Sequence, residues 1–341
     1  MRAFCRLLTA LISICAMCVA VVGTYATGAH GAPLLKVSFI RDFPPPGWVG
    51  SIPWDVAQAE GFYQRRGLSV TMHWPPTPSD SMKFVANHTV DMGMSYTTDI
   101  LTGAANGLKV IAVASLFDQD CGGVMAWADQ VKTPADFKGK TVAIYDFPQT
   151  QLHFRTMLLH AGVQPSEVHI VNAGNDSTPL MLANKVVGAD AAAPSEFVNV
   201  MTATKRKVVF FPYSYQYGVP KRYWSVIVAN PTFAREHPQA VRAFVAATFE
   251  GLHYALSHVN DALAINRPLS KQSAMQSQLS WLELKHYSFT RYYPNRPEGY
   301  MDTSIWQSYE NFYLNSHLLP ASVDVKSIVT NAYVPTSASG M

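Results

Sequence analysis

The sequence predicts a two-lobed α/β protein, each lobe an open sheet flanked by helices, with a hinge between the lobes and a crevice where they meet. Three observations predict it. Short apolar, β-branched runs alternate with helical patterns in units of about thirty residues, the signature of parallel α/β architecture. The rhythm stops near residues 116–130 and then restarts. A last apolar run at 223–229 follows the second series and leads into helices, which makes the first lobe discontinuous and gives the hinge two connectors.

The first element is the run 34–40 (LLKVSFI), whose apolar and β-branched content fits a buried strand. Pro44, Pro45, Pro46 and Gly47 end it, because proline lacks the N–H that a ladder needs. Residues 53–63 (PWDVAQAEGFY) read as a short helix running into Gly61, and 68–74 (LSVTMHW) alternates as a second strand until Pro75, Pro76 and Pro78 break it. Ser79 and Asp80 are helix-start residues, and Met82, Val85 and Ala86 give the helix after them one apolar face. Strand 92–95 (MGMS), helix 98–106 and strand 110–115 (VIAVAS) complete the first series.

The second series opens with 124–127 and a helix start at Thr133, Pro134 and Asp136. Strand 140–144 (KTVAI), helix 151–161 ended by Gly162, strand 168–171, helix 179–184 and strand 189–193 follow. Runs 207–211 (KVVFF) and 223–229 (YWSVIVA) read as strands, the second as a return crossing. Within 240–258, Val241, Phe244, Val245, Thr248, Phe249, Leu252 and Leu256 recur at the spacing of an amphipathic helix. Helical segments continue through Trp281, Trp306 and Tyr309, and the tail 335–341 reads as frayed.

The first 31 residues read as an export signal. Arg2 and Arg6 precede an uncharged apolar run at 7–22, and Ala26, Gly28, Ala29, Gly31 and Ala32 supply small residues for cleavage. That run is shorter than the roughly 20 apolar residues of a membrane span, with a retained N-terminal anchor as the alternative. Cys5, Cys15 and Cys18 lie in the leader, so its removal leaves Cys121 without a disulfide partner. Roughly 310 residues then remain, enough for two lobes. The expected division is 32–120 and 223–341 for the first lobe and 121–222 for the second.

The whole chain carries a net charge of +3, and the leader takes two basic residues with it, so the remainder is near neutral. Polybasic runs, arginine-rich stripes and paired zinc-ligand spacings do not occur, which argues against a nucleic-acid partner. Eleven histidines are scattered without a metal-binding spacing; His153, His160 and His169 could converge, yet such histidines are more often structural. A G-x-S-x-G elbow, Walker loop and dinucleotide fingerprint are all missing from the sequence, so neither catalysis nor a cofactor is expected.

The order of short motifs is more informative. Residues 57–74 (AQAEGFYQRRGLSVTMHW) are similar to an A-x-x-x-G-[FY]-[FY]-x-x-x-G-L-x-V opening, and 81–100 (SMKFVANHTVDMGMSYTTDI) to L-V-x-x-G-x-x-D-x-G followed by a polar turn. Residues 133–144 (TPADFKGKTVAI) are similar to x-x-D-L-K-G-K-x-V, and the likeness runs on through 158–171 (LLHAGVQPSEVHIV) and 181–192 (MLANKVVGADAA, against L-x-x-G-x-V-D-A). In this order they resemble the family of ABC-importer binding proteins that serves thiamine pyrimidine precursors, taurine, alkanesulfonates and nitrate. The resemblance covers most of 34–230. It implies a periplasmic-binding-protein-like fold of type II, a periplasmic location, a small-molecule ligand, an ABC permease as partner and a monomeric, non-enzymatic carrier. SYTTD (95–99) resembles the S-Y-x-x-[DE] turn of the pyrimidine-precursor branch, while Ser51 stands where that branch often has a histidine. Nothing resembling the cysteine-rich motif of eukaryotic relatives that make the pyrimidine as enzymes is present.

In open α/β sheets the ligand sits outside the carboxyl ends of the strands, so the loops after strands are the candidate site. Trp48 follows the first strand and offers a flat face for a heteroaromatic ring; packing in a minor loop cluster is the alternative. Ser95, Tyr96, Thr97 and Thr98 follow the next inner strand, where hydroxyls and N–H groups could bind a polar ligand end and where Thr97 or Thr98 could equally cap a helix. In the second lobe Gln149 and Thr150, Asn175 and Glu196 hold equivalent positions, with ordinary helix-dipole chemistry as the alternative for Glu196. Tyr223, with Tyr213, Tyr215, Tyr217 and Trp224, surrounds the return crossing as lid or core.

The leading expectation is capture of a small nitrogen-bearing heteroaromatic between Trp48 and Tyr96, with Glu196 accepting from its amine. A taurine, alkanesulfonate or nitrate carrier is the first alternative. An exported enzyme on the same scaffold and a partner of a membrane receptor are the others.

Overall fold

A computed structural model describes residues 33–41, 49–76, 80–174, 176–214 and 216–335. The expected leader, Trp48 and Asn175 lie outside the described residues. Ten strands are found among these residues: β1 (Leu35–Ile40), β2 (Leu68–His73), β3 (Met92–Ser95), β4 (Ile111–Phe117), β5 (Gly122–Trp127), β6 (Thr141–Ile144), β7 (His169–Asn172), β8 (Gly188–Ala192), β9 (Val208–Pro212) and β10 (Ser225–Ala229). The helices of the first series are α1 (Ile52–Ala59), α2 (Phe62–Arg65), α3 (Ser81–Ala86) and α4 (Thr97–Ala105). Those of the second are α5 (Pro148–His160), α6 (Thr178–Leu182) and α7 (Val198–Ala203). After β10 come α8 (Pro231–Glu236), α9 (Pro238–Ser257), α10 (Val259–Asn266), α11 (Ala274–Ser288), α12 (Thr303–Asn315) and α13 (Val325–Ile328).

The strands form two five-stranded sheets, ordered β2-β1-β3-β10-β4 and β7-β6-β8-β5-β9. Both are mixed. β10 runs antiparallel between β3 and β4, and β5 runs antiparallel between β8 and β9. The sequence of β10 explains its central place: all five residues of SVIVA are buried, with Ile227 and Ala229 packing on one face and Val226 and Val228 on the other. A strand covered on both faces reads as a continuous apolar run.

On one face of the first sheet, Phe39 packs 5.3 Å from Trp54 of α1 and 4.9 Å from Phe244 of α9, and Tyr63 stacks on Phe244 at 5.0 Å. All four rings are fully buried, each contributing roughly 1.5–3 kcal/mol of apolar transfer energy. Gly251 of α9 allows this approach, since a Cβ there would lie 2.1 Å from the Pro53 carbonyl oxygen. Among the described residues no helix is long and apolar enough to cross a membrane.

Several elements differ in detail from the sequence expectation. The run 223–229 is strand only from Ser225, with Trp224 ahead of it already donating its N–H to the Phe117 carbonyl of β4 at 3.0 Å. The helix start at Thr133 yields only a 3-10 turn, Pro134–Phe137, closed by the Asp136 carboxylate on the Thr133 N–H. α5 begins at Pro148, so Gln149 and Thr150 sit in its first turn and not in the preceding loop; proline suits the first helical position because the N–H it lacks would have no helical acceptor there. After β8 the chain makes a π-helical turn, Ala193–Phe197, before α7.

The chain passes between the sheets twice, at residues 118–121 and 213–224, and a buried ion pair joins the two passages. The Arg222 guanidinium donates to Asp120 Oδ2, with Nε at 3.1 Å, and Asp120 Oδ1 accepts from the Gly122 N–H at 2.7 Å. Arg222 is further enclosed by Trp224 and Tyr309, 5.1 and 5.7 Å from their ring centroids. His153 of α5 and Tyr309 of α12 share a 2.7 Å hydrogen bond that also ties the second sheet's helix to the C-terminal helices.

Candidate functional site

The carboxyl ends of the parallel strands are Ile40, His73, Ser95 and Phe117 in the first sheet and Ile144, Asn172, Ala192 and Pro212 in the second. The crossings bring these edges together. Phe117 and Gly122 are separated by only four residues, a span of at most about 17 Å. Gly122 lies opposite Ala192, and its carbonyl accepts from the Tyr213 N–H at 3.0 Å. The ends of β4, β5, β8 and β9 therefore border one junction, with β3 and β10 beside β4, and the crevice outside strand ends is where α/β proteins bind ligands.

On the first sheet's side, Tyr96 occupies the N-cap position of α4 and its ring lies 4.7 Å from that of Trp224. Ser95 is buried at the end of β3 opposite Val226, and Thr98 is buried and bonds to Asp99. Thr97 and Tyr223 form a structural tie: the Thr97 hydroxyl donates to the Tyr223 carbonyl at 2.7 Å, and the Tyr223 hydroxyl accepts from the Asp302 N–H at 2.7 Å. Both side chains are fully buried, so the ring pair Tyr96 and Trp224 is the more available part of this turn. Burial pushes the Asp99 carboxyl up to about 6, with the Arg222 guanidinium opposing.

On the second sheet's side, Gln149 and Thr150 are half-buried in the first turn of α5. Glu196 is half-buried in the π-helical turn, where its Oε2 accepts from the Ala192 N–H at 2.9 Å and the Ser195 hydroxyl at 2.5 Å. One carboxylate oxygen thus closes the turn.

Sequence reasoning missed Asp190 and Tyr145. Asp190 is buried inside β8, where it accepts from the Tyr213 hydroxyl at 2.8 Å. Burial pushes its carboxyl well above the usual range; the Tyr213 bond opposes this, and the nearby Glu196 and Asp120 charges add to it. Burial also raises the Tyr145 phenol, followed by the negative field of Glu196, Asp190 and Asp176. The available signal was one carboxylate in an otherwise apolar strand, GADAA, which an apolar-run reading passes over. On the sheet-two side Asp190 is buried on the Tyr213 hydroxyl and biased toward its neutral form, so Glu196 and Asp176 supply the negative charge around the Tyr145 phenol. Such a field favours an amine or other N–H edge and disfavours an uncompensated anion.

Two cavities flank the sheets. One of about 130 Å³ sits beside Trp127 and Arg206 at the opposite end of the second sheet, and one of about 540 Å³ lies between β2, α1 and residues 265–269. The larger is lined by Arg41, the residue directly after β1, together with Asp55 and Met72, so it borders the carboxyl-end side of the first sheet, whereas the smaller lies at the far end of the second. Among the described residues no group of three or more His, Cys, Asp or Glu side chains could hold a metal ion.

Comparison with known proteins agrees with this architecture. The chain is similar to the formylaminopyrimidine-binding protein of Halalkalibacterium halodurans, 26% identical over 265 residues that cover 74% of this chain and 77% of the relative. It is also similar to a 4-amino-5-hydroxymethyl-2-methylpyrimidine phosphate synthase of Saccharomyces cerevisiae, 25% identical over 234 residues, 65% of this chain and 67% of that one. The crystal structure of the periplasmic aliphatic sulphonate binding protein SsuA from Escherichia coli shares the fold, with a TM-score of 0.69 at 14% identity over 91% of this chain and 95% of that chain. The profile of the family described as NMT1/THI5 like matches residues 48–262, a segment that reaches through both sheets into α10, and the chain belongs to that family.

Proposed function

We propose that this chain is the solute-capturing component of an ABC importer, exported to the periplasm, and that its ligand is a small amine-bearing heteroaromatic of the thiamine pyrimidine-precursor class. The observation that carries this reading is the cluster of Glu196, Asp176 and Tyr145 after the strands of the second sheet, with Asp190 behind them inside β8, across the crossings from the Tyr96 and Trp224 rings. The name of the formylaminopyrimidine-binding relative points to the same ligand class.

In this reading Trp48, Tyr96 and Trp224 offer faces to the ring, and stacking of this kind contributes about 0.5–1.5 kcal/mol per pair beyond area burial. Ser95, Thr98, Gln149, Thr150, Asn175 and the second oxygen of Glu196 take its polar edge, while Thr97 and Tyr223 hold the turn that presents Tyr96. Residues 32–120 with 223–341 form one lobe and 121–222 the other, hinged at the Asp120 and Arg222 passages. Ligand contacts to both lobes shift the population toward the closed form in proportion to their differential free energy. The carrier is monomeric and delivers its ligand to a membrane permease.

Calorimetric titration with 4-amino-5-hydroxymethyl-2-methylpyrimidine, its formylamino analogue, taurine, an alkanesulfonate and nitrate tests the ligand class. Binding of the pyrimidines in preference to the anions is expected, and equal or better binding of taurine or nitrate refutes it. Mass spectrometry of the compound released on denaturation tests the carrier role, since a synthase or hydrolase would return an altered molecule.

A further inference from the structure

Helix α11 lies beyond the family match, which ends at residue 262, yet it touches both sides of the junction. It packs on the turn Val49–Ser51, directly after the loop that carries Trp48, and on the turn Ala193–Phe197 that carries Glu196. A Ser273 and Gln276 capping box fixes its start, with the Ser273 Oγ accepting from the Gln276 N–H at 3.2 Å. Its register fixes which residues face the second sheet. Gln276 Nε2 donates to Thr202 Oγ1 of α7 at 3.3 Å, and Tyr287 lies edge-on to Phe210 of β9 at 5.0 Å, with Phe197 another 5.3 Å from Phe210. Glu283 stands seven residues after Gln276 and four before Tyr287, so it shares their face.

The Glu283 carboxylate is half-buried, with no hydrogen-bond partner among the described residues. Burial pushes its carboxyl up, with His286 opposing. Burial, and then the Glu283 charge, raises the Tyr287 phenol to about 12, which keeps it a neutral hydrogen-bond donor. A half-exposed carboxylate one turn from a ring packed on the second sheet can exchange water for an N–H donor, and such charge-assisted hydrogen bonds are among the stronger ones.

We infer that α11 forms a third wall of the ligand site, with Glu283 accepting from an N–H edge of the ligand and Tyr287 packing on its ring, so that this helix sets specificity within the family. The inference rests on the reading of the junction as a ligand site. It places the discriminating carboxylate at Glu283, because Glu196 already commits one oxygen to its own turn.

The test is calorimetry of the full chain, Glu283→Gln, Tyr287→Phe and Tyr287→Ala with the same five solutes and with the 4-oxo analogue of the pyrimidine, each variant checked by melting temperature. Glu283→Gln should weaken the 4-aminopyrimidine at least tenfold and the 4-oxo analogue less; Tyr287→Ala should weaken both, and Tyr287→Phe should stay close to the parent. If the parent binds taurine or nitrate and no pyrimidine, the proposed ligand class fails. The third wall then stands if Glu283→Gln tightens the anion and falls if its affinity is unchanged. Folded Glu283→Gln and Tyr287→Ala variants that bind every solute within twofold of the parent overturn the inference. Absence of any binding across the panel overturns both readings.

Discussion

Replacing Arg222 with methionine tests whether the two passages between the sheets are clamped by the buried ion pair. Arg222 is 6% exposed and Asp120 2% exposed, and among the described residues Asp120 keeps the Gly122 N–H as its hydrogen-bond donor once the guanidinium is gone. Breaking a buried pair from one side leaves an uncompensated charge and is destabilising by about 3–5 kcal/mol. At roughly 2–4 °C per kcal/mol for a chain of this scale, the melting temperature should fall by about 6–20 °C. Methionine retains much of the packing against Trp224 and Tyr309, so most of the loss reports the stranded carboxylate. The double variant Asp120→Asn with Arg222→Met removes that charge and should recover more than half of the loss, a coupling read by a thermodynamic cycle. Thermal unfolding by circular dichroism of the four proteins measures it. A drop below about 1 kcal/mol in the single variant, or no recovery in the double, refutes the clamp.

Asp99 gives a pH-dependent test. Its folded carboxyl is raised from 3.8 to about 6, so its contribution is full below pH 3.8 and is lost as the pH rises to 6 and beyond; Asp99→Asn should gain stability relative to the parent across that window, and a constant difference in melting temperature would contradict it. Gly251→Ala places a methyl 2.1 Å from the Pro53 carbonyl oxygen and 3.1 Å from the Ala57 nitrogen, so α9 must move off α1; a loss of about 1–3 kcal/mol in urea unfolding is expected. Trp224→Ala removes the partner of Tyr96 and should weaken the pyrimidine roughly tenfold by calorimetry while sparing the fold, because Trp224 is only partly buried.

The alternation of elements was legible because it is written in local periodicity. The runs at 34–40, 92–95 and 110–115 correspond to β1, β3 and β4, and the pattern at 240–258 to α9. The restart near 116–130 fits the passage from β4 to β5 into a second sheet. The polar core of the junction was less legible. Asp190 hides in GADAA, and Glu283 and Tyr287 sit on a helix whose apolar pattern is weak and whose two partners, the turns at 49–51 and 193–197, are remote in the chain. The turn Ser95 to Thr98 was recognisable as a strand-to-helix loop, but not that the Thr97 hydroxyl would be taken up by the Tyr223 carbonyl, 126 residues away.

By itself, then, the order of residues determined which segments become strands and helices, that they fall into two series, and which family the motifs resemble. Tertiary structure alone decided that both sheets are mixed, that Asp120 meets Arg222 across 102 residues, that His153 meets Tyr309 across 156, and that a C-terminal helix packs on both the turn Val49–Ser51 and the turn Ala193–Phe197. The physical reason is range. Hydrophobic periodicity acts between residues a few positions apart, whereas the pairing of a buried charge or hydroxyl depends on which distant group the topology brings within about 3 Å.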